Sequence, residues 1–133
     1  MRTSLIPTIP TLALLLLGAC SSAPGPLGGF EPVTATDTLS ARNAKTLGWL
    51  TVAGQPSEAD LATVAESGAG CVINMRTAEE MAEVDFDEQA AVESQGMRYL
   101  HLPVEGVDSL TDEFFVAARE GLRTCRAKGV LMH

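Results

Sequence analysis

The sequence predicts an α/β fold, a parallel sheet with flanking helices. Three observations predict it. From residue 48 onward, short apolar runs alternate with stretches patterned as helices. One run, Cys71-Val72-Ile73-Asn74-Met75, is unbroken, as strands covered on both faces are. Serine or threonine stands ahead of each main helical pattern, where its side chain can cap the first turn. Strand and helix in alternation build βαβ units and hence a parallel sheet.

Each element has its own local cause. Residues 49–53 form a short apolar stretch suited to a first strand, ended by Gly54 and Pro56. Ser57 caps the next helix, and Glu58 and Asp60 in its first turn complement the helix dipole. Leu61, Val64 and Ala65 fall on one face of that helix, and Gly68 ends it. After the second strand, Thr77-Ala78-Glu79-Glu80 reads as a capping box, in which Thr77 and Glu80 satisfy each other's backbone amides. The acidic stretch through Glu93 is helical in one or two pieces, closed by Gly96. Residues 97–102 make the third strand, stopped by Pro103. Thr111 opens a further helix with Phe114, Phe115, Ala118, Leu122 and Cys125 as its core stripe. Gly129 ends it, and Val130-Leu131-Met132 begins a fourth strand. No internal repeat is present.

The segment ahead of this pattern has a different character. Arg2 and the amino terminus precede an apolar run that includes Leu12, Leu14, Leu15, Leu16 and Leu17, too short to span a bilayer as a stable helix. Leu17-Gly18-Ala19-Cys20 resembles the lipobox of bacterial lipoproteins, where the cysteine sulfur receives a diacylglycerol. The expectation is an export signal over residues 1–19, lipid attachment at Cys20, and a protein held on the periplasmic side of a membrane. The alternative is a secretory signal cut near Ala19 with Cys20 merely adjacent. Ser21 after the cysteine favours the outer membrane over the inner, by the same resemblance. Residues 20–38 are largely Ser, Ala, Pro, Gly and Thr, and read as a flexible tether to one small domain over residues 39–133.

Without residues 1–19 the chain carries eight basic and seventeen acidic side chains, a balance of −9. So acidic a surface argues against nucleic-acid binding, which needs a basic footprint. Two histidines and two remaining cysteines without close spacing make no metal site. Cys71 and Cys125 each fall at an apolar position of a predicted element. They read as buried free thiols, with pairing in an oxidising compartment as the alternative.

Four segments, in order, resemble one family. They are Val52-Ala53-Gly54-Gln55-Pro56-Ser57, Val72-Ile73-Asn74-Met75-Arg76, Gly96-Met97-Arg98-Tyr99, and His101-Leu102-Pro103-Val104. Over residues 46–133 the chain is similar to the phosphatase-like domain of the beta-lactamase hydrolase-like proteins, a branch of the dual-specificity and tyrosine phosphatase superfamily. In that family the fourth strand runs into His-Cys, five residues and Arg, opening a helix. Backbone amides there cradle a phosphate dianion, the thiolate attacks phosphorus, and the arginine fork binds phosphoryl oxygens. Val130-Leu131-Met132-His133 matches the approach, with His133 at the histidine before the nucleophile. The cysteine, loop and arginine are not among these 133 residues. The resemblance therefore implies a phosphatase-like domain seen without its C-terminal helices and inactive as it stands.

The resemblance also implies a phosphorylated substrate, no cofactor, and an acid from the loop after the third strand that protonates the leaving oxygen. Asp108 is the candidate for that acid and Glu105 the runner-up; the plain alternative makes both ordinary loop residues. Arg76, at a strand's carboxyl end, is a candidate for facing phosphate, against the simpler reading of an ion pair with Glu80. His133 would lie beside the phosphate loop, and His101 is expected to be structural. Two other functions stay open: a catalytically inactive binding or scaffold lipoprotein, and rhodanese-like sulfur transfer, which also uses a cysteine loop after a strand.

Overall fold

The computed structural model describes residues 34, 35 and 37–133. The export signal, Cys20 and most of the predicted tether lie outside the described residues. Six strands form one sheet: β1 (Thr34–Ala35), β2 (Lys45–Leu47), β3 (Leu50–Val52), β4 (Cys71–Asn74), β5 (Arg98–His101) and β6 (Val130–Met132). Their order is β1-β2-β3-β6-β4-β5. The four strands from β3 to β5 are parallel, as expected. At one edge β1 and β2 add in antiparallel fashion, which the sequence reading did not anticipate. β1 falls within the stretch read as tether.

Of the helices α1 (Glu58–Glu66), α2 (Ala78–Met81), α3 (Glu88–Ser94) and α4 (Asp112–Cys125), the first, second and last begin where their caps predict. Ser57 accepts from the Asp60 amide while the Asp60 carboxylate accepts from the Ser57 amide, and Thr77 and Glu80 do the same. The acidic stretch breaks into two helices, the second capped by Asp87. Gly68, Gly96 and Gly129 all take positive φ where a helix must give way to a strand.

Side chains alternating across the central strands split the core into two layers. Val72 and Leu131 meet Leu61 and Val64 of α1 and Val92 of α3 on one face. Cys71, Ile73 and Val130 meet Cys125 of α4 on the other. Burying each of these aliphatic side chains contributes about 1.5–3 kcal/mol. β6 occupies the centre because its residues can be covered on both faces: Val130 and Leu131 are buried.

Two expectations for this second layer need correction. Cys71 and Cys125 are buried, but they are joined by a disulfide, with Cα atoms 5.7 Å apart. They meet because α4 lies against the start of β4, a tertiary contact that spacing along the chain cannot reveal. Phe115 is not part of the α4 core stripe; it is more than half exposed. The buried position is instead Gly121, where an added Cβ would come within 2.8 Å of Leu100 Cδ2. Lacking a side chain, Gly121 lets the helix sit close on the sheet.

Candidate functional site

Hydrogen bonds running past the strand ends bring four chain segments side by side. The Ala53 amide donates to the Met132 carbonyl at 3.0 Å, and the Met75 amide donates to the His133 carbonyl at 2.7 Å. The Val104 amide donates to the Met75 carbonyl at 2.9 Å. The exits of β3, β6, β4 and β5 therefore form one continuous edge. In open parallel sheets ligands bind beyond this carboxyl edge.

A buried polar cluster underlies the edge, centred on Glu88, the first residue of α3. Its Oε2 accepts from Gln55 Nε2 at 2.6 Å, and its Oε1 accepts from Asn74 Nδ2 at 3.2 Å. His133 Nε2 lies 2.8 Å from the same Oε1, and both side chains are almost wholly shielded from solvent. Asn74, itself fully buried, also donates to Tyr99 Oη at 2.8 Å, and its Oδ1 accepts from the Arg76 amide at 2.7 Å. One carboxylate thus links the segment after β3, the end of β4 and the residue after β6.

Burial by itself would raise the Glu88 pKa. The hydrogen bond and charge of His133, followed by the bonds from Gln55 and Asn74, outweigh it and leave the carboxyl below its ordinary value. Burial also raises the Tyr99 hydroxyl, and the nearby Glu88 charge adds to the effect. The cluster consequently holds an ionised carboxylate beside a neutral phenol.

Among the described residues, three buried side-chain polar atoms lack a hydrogen-bond partner: Gln55 Oε1, Arg76 Nε and His133 Nδ1. They come from the segments after β3, β4 and β6, three neighbouring strand ends. Unpaired buried polar atoms are costly and uncommon. The carboxyl edge thus gathers buried polar atoms from three segments.

The sequence-predicted residues fare differently. His133 is at the heart of the cluster. Arg76 stands at its margin, paired with Glu80 at 3.2 Å. His101 is exposed at the end of β5, where its Nε2 lies 2.8 Å from the Arg76 carbonyl and so donates to it. Asp108 is exposed in a single 3-10 turn (Val107–Ser109). It lines a shallow pocket formed by residues 105–109 alone, with Glu105 in the same pocket and the Glu88 cluster outside it. Sequence reasoning missed Glu88, Gln55 and Tyr99 as site residues. For Glu88 a signal existed: it stands four residues before Val92, on the buried stripe of α3. No three His, Cys, Asp or Glu side chains among the described residues are grouped so as to hold a metal ion.

The profile of the beta-lactamase hydrolase-like protein, phosphatase-like domain, matches residues 45–129. The chain belongs to this family. Known structures agree with its fold. A candidate phosphatase from Shewanella putrefaciens CN-32 is 26% identical with a TM-score of 0.57, the match covering 71% of this chain and 62% of that one. TpbA of P. aeruginosa, in complex with phosphotyrosine, is 21% identical with a TM-score of 0.58, covering 77% and 58%. A candidate phosphatase from Neisseria meningitidis z2491 is 22% identical with a TM-score of 0.50, covering 71% and 64%. The match thus spans about six tenths of the length of these relatives. No curated protein sequence matches significantly. The family match ends four residues before His133, whose place in the site rests on the geometry above.

Proposed function

We propose that this domain serves a cysteine-dependent phosphatase that hydrolyses phosphate monoesters through a cysteinyl-phosphate intermediate. The observation that carries this reading is the carboxyl edge itself. His133, at the family's position before the nucleophile, closes the central strand and lies at the same edge as the buried Gln55 Oε1 and Arg76 Nε. A loop of backbone amides following β6 would meet that edge and bind a phosphate dianion. The phosphotyrosine bound to TpbA supports a phosphorylated substrate. Asp108, in the loop after β5, is the proposed leaving-group acid; it is exposed here and would act on a substrate seated over the edge.

The test is hydrolysis of an aryl phosphate. A protein carrying residues 1–133 followed by a cysteine at the family spacing should turn over the substrate, and should lose activity when that cysteine becomes serine. Residues 1–133 alone should stay at background. Turnover by residues 1–133 that falls on mutating Cys71 or Cys125 would overturn the proposal.

We further propose, from the lipobox-like Leu17-Gly18-Ala19-Cys20, that the protein lies outside the cytoplasm, anchored through a lipid on Cys20. The Cys71–Cys125 disulfide supports export, because such bonds persist in oxidising compartments. No helix among the described residues is long and apolar enough to cross a membrane. Palmitate labelling in a bacterium should mark the wild-type protein and fail for Cys20→Ser, whereas an unlabelled wild type would refute the anchor.

A further inference from the structure

Beyond the family's own machinery, the structure assigns a positioning role to Glu88: its carboxylate keeps a proton on His133 Nε2 and so sets the orientation and, in the neutral ring, the tautomer of a buried imidazole. The inference rests on the reading of the carboxyl edge as a phosphatase site, and explains how that edge is held ready before a ligand arrives.

The chain of reasoning is geometric. An ionised carboxylate only accepts hydrogen bonds. Glu88 Oε1 is 2.8 Å from His133 Nε2, so that nitrogen must carry the hydrogen between them. The ring cannot turn over without breaking this bond, and its side chain has no exposure through which water could replace the lost partner. Nδ1 is left without a partner. Glu88 also takes a hydrogen from Gln55 Nε2, which turns that amide so that its Oε1 is the unpaired atom. A single carboxylate therefore orients side chains from two neighbouring strand exits. With Glu88 replaced by an apolar residue, both side chains would be free to exchange roles between donor and acceptor.

The experiment is long-range proton–nitrogen correlation NMR on the full chain with labelled histidine, at mildly alkaline pH. Wild-type His133 should show the pattern of a ring protonated on Nε2. Glu88→Ala should lose that single pattern and give averaged tautomers. Glu88→Gln should retain it, since its amide oxygen can accept from Nε2 while Gln55 flips to accept from its amide nitrogen. His101, whose Nε2 donates to the Arg76 carbonyl, is the internal control for an intact fold. If Glu88→Ala also disturbs His101, the wild type and Glu88→Gln decide the question. A wild-type His133 unprotonated at Nε2 or averaging between tautomers would overturn the inference. So would an unchanged ring in a folded Glu88→Ala protein, or a lost pattern in a folded Glu88→Gln protein. The phosphatase reading fails separately, through absent ester turnover by the extended protein while the Nε2 proton stays in place.

Discussion

Reducing the Cys71–Cys125 bond should cost this domain a large part of its stability. The bridge joins residues 54 apart in sequence. In the chain-entropy treatment, closing a loop of that length removes roughly 14 cal/mol/K from the unfolded ensemble, or about 4 kcal/mol near room temperature. Domains retain only about 5–15 kcal/mol in total, so the loss is between a quarter and most of it. With a urea dependence of about 2 kcal/mol/M, the unfolding midpoint should fall by about 2 M. The assay is urea unfolding of Cys20→Ser protein with and without a phosphine reductant, with thiols titrated in each sample. Reduction is a cleaner perturbation than substitution, because both sulfurs stay in the core and no cavity is opened. An unchanged midpoint in a sample with two titratable thiols would refute the reasoning.

Two further outcomes follow from the same structure. Asp60 and Glu88 are both buried, and in each the hydrogen bonds outweigh burial and lower the folded pKa. A lowered folded pKa contributes stability in full above the ordinary carboxylate range, about 4, and loses it as pH falls through the folded values. The urea midpoint should therefore hold near neutrality and drop in acid, with a shallower drop in Asp60→Asn; a midpoint independent of pH in acid would contradict the cluster's charge state. Gly129 takes φ +86 with ψ 153, a region essentially reserved to glycine, and an added Cβ would meet only ordinary van der Waals contacts, so Gly129→Ala should cost about 1–3 kcal/mol through backbone strain; an undiminished thermal midpoint would show that the turn relaxes.

Local rules made much of the fold legible. Ser57, Thr77 and Thr111 each cap a helix, because capping is decided within four residues. The runs at 71–74 and 130–132 are strands, as short unbroken apolar stretches bounded by glycine or turns suit a strand covered on both faces. The antiparallel edge escaped notice because β1 and β2 are two and three residues long, too short for a period to show. The disulfide escaped because it depends on how α4 lies over β4. His133 was found through its place in a familiar motif. Glu88 was hidden among many surface acids, and only its register with Val92 sets it apart.

The disulfide also bears on oxidative damage. Cys71 and Cys125 are both already spent in one bond and both shielded from solvent. Neither sulfur is open to peroxide or to exchange with outside thiols while the domain stays folded. Oxidative modification of this pair must therefore wait on prior reduction or unfolding.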